Sequence, residues 1–167
     1  MAHTLASARL TLSPAEPHDL PALFGLRAEP TPLDRARQSR IRELVRINPQ
    51  RFAEHHFGVW MIRDVAGTVG FVGLRPRESA LEPELYYGLT PAARSQGYAT
   101  EAARVVIARL FESPAVTGVW AVTGPDNLPS CRVLERLGMR LEFVGVFDQL
   151  PSRLYRLKRV PSGDSHR

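Results

Sequence analysis

The chain is most informative at residues 84–99, which read ELYYGL (84–89), TPAA (90–93) and RSQGYA (94–99). The first segment has the pattern of a short apolar strand, Thr90-Pro91 breaks it, and residues 99–111 have the pattern of a helix. A loop that enters a helix through Gly97 leaves the N–H groups of the first turn free, and the helix dipole adds partial positive charge there. Such a helix start can accept a phosphate or pyrophosphate, and Gly97 has no side chain to keep the anion from the backbone.

A second helix is predicted after a strand at residues 119–122. The sequence here reads NLPSCRVLERLGM (127–139). Asn127 is a good N-cap, Pro129 suits the first helical turn and Gly138 suits a C-terminal cap. The strand-loop-helix unit at residues 84–111 is thus followed by a second strand-loop-helix unit.

These two segments resemble the GNAT superfamily of acyl-CoA N-acyltransferases. That family binds the CoA pyrophosphate with a Gln/Arg-x-x-Gly-x-Gly/Ala loop, to which residues 94–99 are similar. The motifs GYATEA (97–102), Asn-x-x-Ser (127–130) and LGM (137–139) are similar to the Rim-type branch, which includes ribosomal-protein N-terminal acetyltransferases. The resemblance is densest over residues 84–145. Each motif is common alone, but their order and spacing make the resemblance specific.

Apolar periodicity predicts elements in the order β-α-α-β-β-β-α-β-α-β-β. The predicted strands are 9–12, 57–62, 68–74, 84–89, 119–122, 140–147 and 153–158, and the predicted helices are 18–27, 33–47 with a break at Asn48-Pro49 before 50–55, 99–111 and one that starts at Asn127. An antiparallel front half before β-α-β units predicts an α/β protein with a mixed sheet and helices on both faces. The resemblance implies the GNAT fold, with about seven strands and with strand 84–89 splayed from strand 119–122.

Length and composition predict one domain over residues 1–160, followed by a disordered tail at 161–167. The sequence has no run of about 18 apolar residues and no secretory signal, so we expect neither a membrane span nor secretion. Cys131 is the single cysteine, which excludes an internal disulfide and fits a cytoplasmic protein. No cluster of His, Cys and Asp has metal-ligand spacing, so we predict no metal.

The charge balance is basic, since 22 Lys and Arg residues against 17 Asp and Glu residues give a formal net charge of +5. This charge suits a polyanionic ligand such as CoA, and nucleic acid is the rival interpretation. The arginines are scattered and interrupted by Glu and Asp, which argues against a dedicated nucleic-acid patch. The one dense cluster, RARQSRIR (35–42), is interpreted as a solvated helix face.

The resemblance implies how acetyl-CoA would be held. Its pantetheine arm would lie between the splayed strands and pair with backbone groups of Tyr87 and Leu89, and its pyrophosphate would bind the loop N–H groups. Asn127 would bind the arm. The full predicted set is Tyr87, Leu89, Arg94, Ser95, Gln96, Gly97, Tyr98, Ala99, Thr100, Asn127 and Ser130. Dimerisation is common among such relatives, but no feature of this sequence establishes it.

The departing thiolate needs a proton or a stabilising dipole. Many GNAT enzymes carry a tyrosine in the second helix for this task, but this chain has Leu134 at that position. In Rim-type relatives a serine that matches Ser130 lies near the sulfur, so Ser130 is predicted to be catalytic, while a role in helix capping alone is the plainer interpretation. Three tyrosines are alternative donors, although the first two could simply pack in the sheet: Tyr86, Tyr87 and Tyr98.

The amine needs a base. Glu84 matches a carboxylate common in Rim-type relatives and is the second predicted catalytic residue, while a solvated charge at a strand end is the plainer interpretation. His55 and His56 precede a strand that could border the acceptor cleft and are weaker candidates. Cys131 invites an acyl-enzyme mechanism. Direct transfer is preferred, because no base accompanies this cysteine and a buried helical cysteine usually acts as a small hydrophobe.

The predicted function is therefore transfer of acetyl from acetyl-CoA directly to a primary amine, first of all the N-terminal α-amine of a protein or peptide. Neutralising an α-amine at pH 7 costs only about 1 kcal/mol, against about 4–5 kcal/mol for a lysine amine. Small-molecule amines, including aminoglycosides, are the alternative within the class. A non-catalytic CoA-binding module and a nucleic-acid-binding protein are the alternatives from other classes.

Overall fold

The computed structural model describes residues 3–27, 33–77 and 81–160. Eight strands and five helices follow the chain: β1 (Leu5–Ala6), β2 (Thr11–Pro14), α1 (Leu20–Arg27), α2 (Arg35–Arg46), α3 (Asn48–His55), β3 (Val59–Asp64), β4 (Gly67–Arg75), β5 (Glu84–Leu89), α4 (Tyr98–Leu110), β6 (Gly118–Thr123), α5 (Leu128–Arg136), β7 (Arg140–Phe147) and β8 (Leu150–Lys158). The mixed α/β architecture predicted from the sequence is confirmed. The predicted tail at 161–167 lies outside the described residues.

All eight strands form one sheet, in the order β1-β2-β3-β4-β5-β6-β8-β7. Among the described strands, β5 and β6 run parallel and the other neighbours are antiparallel. The sequence predicted about seven strands. The additional strand β1 has two residues and pairs with β2, and such a short segment carries no apolar alternation that a pattern could reveal.

The central strands of the sheet are buried on both faces, because their side chains alternate between two apolar clusters. In β3, Val59 and Met61 pack with residues of α1 and α2, such as Leu23. Trp60 and Ile62 point to the other side, where the second cluster contains residues from α3, α4 and α5. A side-chain period of two therefore places α1 and α2 on one face of the sheet and α3, α4 and α5 on the other.

The break predicted at Asn48-Pro49 lies at Ile47, so that α2 ends at Arg46 and Asn48 and Pro49 form the first turn of α3. Asn48 is fully buried, and its amide group ties the start of α3 to the sheet. Its Nδ2 donates to the carbonyls of Ala15 and Val59 at 3.1 and 3.0 Å, and its Oδ1 accepts from the Val59 N–H at 2.9 Å. Asn48 thus joins three segments of the chain.

Candidate active site

The centre of the sheet contains a gap between β5 and β6. The two strands share one paired position, Glu84 with Trp120, and the Trp120 N–H donates to the carbonyl of Pro83 at 3.2 Å. Successive residues of a strand direct their backbone groups to alternate sides, so Tyr87 and Leu89 direct theirs towards β6, like Pro83. Both lie beyond the last paired position. The predicted splay of these strands is confirmed.

The gap leads to the start of α4. Gly97 has φ +80°, a left-handed conformation that glycine adopts without strain, and Ser95 also has positive φ at 62°. The first helical bond runs from the Glu101 N–H to the Gly97 carbonyl at 3.0 Å, so the N–H groups of residues 98–100 precede it. The Thr100 hydroxyl is buried and has no hydrogen-bond partner among the described residues. This helix start therefore offers several donors to an anion.

The N-terminal segment braces the first turn of α4. The Glu101 carboxylate accepts from the Ser7 hydroxyl at 2.7 Å and from the Arg9 Nε at 2.7 Å. The Arg9 guanidinium also lies over the Tyr98 ring, 4.6 Å from its centroid. On the other side, the Tyr98 hydroxyl donates to Asp64 at 3.1 Å. Sequence reasoning missed these contacts, because they join segments from 34 to 94 residues apart and no local pattern marks them.

A pair of hydroxyl groups lies beside the gap on the α5 side. The Asn127 Oδ1 caps α5 by accepting from the Ser130 N–H at 3.2 Å, as predicted for an N-cap. This cap fixes Ser130, whose Oγ lies 2.8 Å from the Tyr87 hydroxyl. Burial raises the pKa of Tyr87, the hydrogen bond to Ser130 opposes that rise, and nearby Cys131 adds to it. Tyr87 therefore remains a protonated donor at neutral pH.

Glu84 is buried at the closed end of the gap and holds two arginines. Its Oε1 and Oε2 accept from Arg75 at 2.9 and 3.0 Å, and Oε2 also accepts from Arg77 at 3.1 Å. Arg77 continues to Asp148 at 2.6 Å. Both carboxylate oxygens of Glu84 thus face guanidinium groups. Its prediction as the amine base stays a prediction, and it has in addition a clear structural role.

Two of the remaining candidates are buried in the core. Leu134 is fully buried, and the Cys131 thiol, which follows Ser130 in α5 and lies near Tyr87, is 3.9 Å from an Arg153 nitrogen. His55 stacks on Phe57, and its Nε2 lies 3.8 Å from a Glu54 carboxylate oxygen. Nothing in these contacts connects His55 with the gap.

The described parts of the chain contain no candidate metal centre and no helix that could cross a membrane. No three His, Cys, Asp or Glu side chains there come together in a way that could hold a metal ion. Among the same residues, every helix is too short or too polar to cross a bilayer.

The fold and the gap agree with the arrangement that the sequence resemblance implied. The family model described as an acetyltransferase (GNAT) domain matches residues 9–140. The chain therefore belongs to the GNAT acetyltransferase family, whose co-substrate is acetyl-CoA. A curated relative, the uncharacterized N-acetyltransferase YnaD of Bacillus subtilis, is 34% identical over 59 residues, which is 35% of this chain and 35% of YnaD.

Three solved structures show how widely this fold is used. An acetyltransferase from Agrobacterium tumefaciens is 25% identical and superposes with a TM-score of 0.80 over 93% of this chain and 94% of its own. RimJ of Mycobacterium smegmatis, in complex with a CoA disulfide, is 19% identical and superposes with a TM-score of 0.75 over 93% of this chain and 87% of its own. A spermidine N-acetyltransferase from Vibrio cholerae, in complex with CoA and spermine, is 14% identical and superposes with a TM-score of 0.72 over 91% of this chain and 96% of its own. The last two are similar in fold alone.

Proposed function

We propose that this chain transfers acetyl from acetyl-CoA directly to a primary amine, and that the preferred acceptor is the N-terminal α-amine of a protein or peptide. One observation carries the proposal. Three groups lie in order along the free edge of β5: the buried Glu84 carboxylate, the hydroxyl pair of Tyr87 and Ser130, and the start of α4 with its free N–H donors. A thioester arm with a pyrophosphate at its far end has matching chemistry along its length.

The described residues fit such a ligand. The backbone groups of Tyr87 and Leu89 face the gap and can pair with the amides of the pantetheine arm. The N–H groups of residues 95–100 and the Thr100 hydroxyl, which has no other hydrogen-bond partner among the described residues, can bind the pyrophosphate. The exposed Arg94 guanidinium can add charge, and exposed Asn127 can bind the arm while it caps α5.

The hydroxyl pair supplies the stabilisation that the thiolate needs. As the amine nitrogen bonds to the acetyl carbon, the bond from that carbon to sulfur breaks and negative charge develops on sulfur. Tyr87 and Ser130 can donate hydrogen bonds to this charge. The amine nitrogen releases a proton and the sulfur finally takes one, so the products are an N-acetyl amine and free CoA thiol. Many family members stabilise the thiolate with a tyrosine at the position of Leu134, and in this chain Tyr87 takes that role.

A strong base is not required for an α-amine, because its neutralisation costs only about 1 kcal/mol at pH 7. A water molecule near Glu84 is sufficient for that proton. Transfer through Cys131 is disfavoured, since its thiol is buried beneath α5. A small-molecule amine is the second candidate acceptor, because the fold also serves a spermidine acetyltransferase. Cytoplasmic location and homodimerisation stay predictions.

Calorimetric titration with acetyl-CoA, with desulfo-CoA and ATP as controls, tests the co-substrate. We expect micromolar affinity for acetyl-CoA, clearly tighter than for ATP. Absence of heat at millimolar acetyl-CoA would contradict the proposal.

Release of free thiol then tests the acceptor. The amines are a peptide with a free α-amine and no lysine, the same peptide blocked at its α-amine with one lysine added, and spermidine. Turnover of the first peptide alone supports an α-amine acceptor. Turnover of spermidine alone would favour the second candidate.

A further inference from the structure

A second concave site lies on the opposite face of the sheet, between α2 and strands β4 and β5. It is a cavity of about 490 Å³, within the usual size range of small-ligand sites. Its apolar part includes Ile41 and Phe71, and its polar part consists of Arg37, Arg40 and Arg75 with Tyr86. The lining residues that the structure describes include three arginines and no carboxylate.

The helix period explains why the arginines meet here. Arg37, Arg40, Ile41 and Leu44 have the spacing i, i+3, i+4 and i+7, so they form one stripe of α2. Ile41 anchors this stripe in the core, while Arg37 and Arg40 are exposed at the mouth of the cavity. The prediction that residues 35–42 form an exposed helix face therefore holds, but part of that face lines a cavity.

The charges of these arginines are not equally available. Arg75 is held by Glu84, and its guanidinium also lies over the Tyr86 ring at 5.3 Å from the centroid. The Arg37 and Arg40 guanidinium groups form no ion pair or hydrogen bond with any other residue that the structure describes. Among the described residues, no carboxylate pairs with these two positive charges at the cavity mouth, and such charges attract an anionic ligand.

The cavity adjoins the strand that borders the gap. Tyr86 lines the cavity, and Tyr87, the next residue of β5, contacts Ser130 on the other face. Adjacent strand residues are about 3.3 Å apart and point to opposite faces. The cavity and the hydroxyl pair therefore lie on opposite faces of the same strand.

We propose that this cavity binds the acceptor and selects amines that have carboxylates close by, with Arg37 and Arg40 as the residues that recognise these carboxylates. The inference rests on the proposed acetyl transfer and names its substrate class. An acidic protein N-terminus and a free dicarboxylic amino acid both provide this chemistry. A polyamine such as spermidine is disfavoured, because it brings only positive charge to the cavity.

The test compares peptides that are identical except at their second and third positions, which are both Glu, both Gln or both Lys. A fluorophore at the C-terminus reports binding by anisotropy, independently of turnover. We expect the Glu peptide to bind about tenfold more tightly than the Gln peptide, as two partly exposed ion pairs allow, and the Lys peptide to bind most weakly. Added salt should reduce these differences.

The variants assign the effect to two residues. The double variant Arg37→Gln/Arg40→Gln should abolish the preference for Glu, and Arg37→Glu/Arg40→Glu should reverse it in favour of Lys. The control is Arg35→Gln/Arg42→Gln, which removes the same charge from the same helix but leaves the cavity lining intact, and should retain the preference. Equal binding of the Glu and Lys peptides by the wild-type protein, or equal losses in the test and control variants, would overturn the inference.

Thiol release separates this inference from the proposed function. If no amine is acetylated but the Glu peptide still binds through Arg37 and Arg40, the proposed function fails and the ligand class of the cavity stands. If all three peptides are acetylated at equal rates, the proposed function stands and the inference fails. Free glutamate as a competitor identifies the source, since displacement of the Glu peptide by glutamate points to an amino acid acceptor.

Discussion

Removal of the Tyr87 hydroxyl by Tyr87→Phe should lower kcat without weakening acetyl-CoA binding. A phenol has an ordinary pKa of about 10, and burial raises the pKa of Tyr87 further, so Tyr87 gives up its proton less readily than an ordinary phenol. Complete proton transfer from Tyr87 to the thiolate is therefore disfavoured. What Tyr87 contributes is a hydrogen bond to the developing charge. Hydrogen bonds to charged groups contribute about 1.5–3 kcal/mol, which predicts a loss of about tenfold to a hundredfold in kcat.

The assay is steady-state thiol release at saturating acetyl-CoA with the best peptide acceptor, together with calorimetric titration of acetyl-CoA. Ser130→Ala should show a loss similar to that of Tyr87→Phe, and the double variant should lose little more than the worse single variant, because the two hydroxyls act on one sulfur. Tyr155→Phe is the control, since it removes a buried phenol that bonds to Glu135 on α5. A kcat for Tyr87→Phe equal to that of the control would refute the assigned role.

Three other outcomes are expected. Asn48→Ala should lower the free energy of unfolding by about 1–3 kcal/mol, because the buried Val59 N–H loses its acceptor. Urea denaturation measures this change, and an unchanged midpoint would contradict it. Gly97→Ala should lower the free energy of unfolding by about 1–2 kcal/mol, because the left-handed φ is strained for alanine, and should weaken acetyl-CoA binding. Gly25→Ala is the control: Gly25 lies in a helix with open space around it, so alanine there should be stabilising. Equal effects of the two substitutions would count against the strain argument. Burial is the larger cause, and contact with the neighbouring thiol the smaller one, that raises the pKa of Tyr155 to about 12. The unfolded chain ionises this phenol near pH 10, so the stability present below about pH 10 should decline between about pH 10 and 12. Unfolding midpoints measured across this range should decline less in Tyr155→Phe.

Local patterns were sufficient for most of the fold. Strand β5 and the Asn127 cap were predicted at their observed positions, because alternation and capping depend on residues close in sequence. The same patterns could not decide between packing and chemistry for Tyr87. Its side chain packs against the core and its hydroxyl meets Ser130, so both interpretations hold, and only the approach of α5 to β5 shows this.

The ion pairs of Glu84 could not be predicted from the sequence. The position of Glu84 was predicted, but its partners Arg75 and Arg77 were not, because the link depends on strand register and on a loop that returns to β5. The arginines of α2 were visible as a cluster. Whether such a cluster faces solvent or a cavity depends on which stripe of the helix meets the sheet.

The single paired position between β5 and β6 has a consequence for how the molecule holds together. Strands β1–β5 and strands β6–β8 form two half-sheets whose backbone ladder is nearly interrupted at the centre. A ligand arm that pairs with β5 in the gap would act as a bridging strand, so its binding energy would be added to the cohesion of the two half-sheets. At a ligand concentration one hundred times Kd this linkage is worth about 2.7 kcal/mol, comparable to a large part of the stability of a small domain. With the arm in that position the co-substrate would complete the sheet, and each release of CoA would leave a molecule that unfolds more easily.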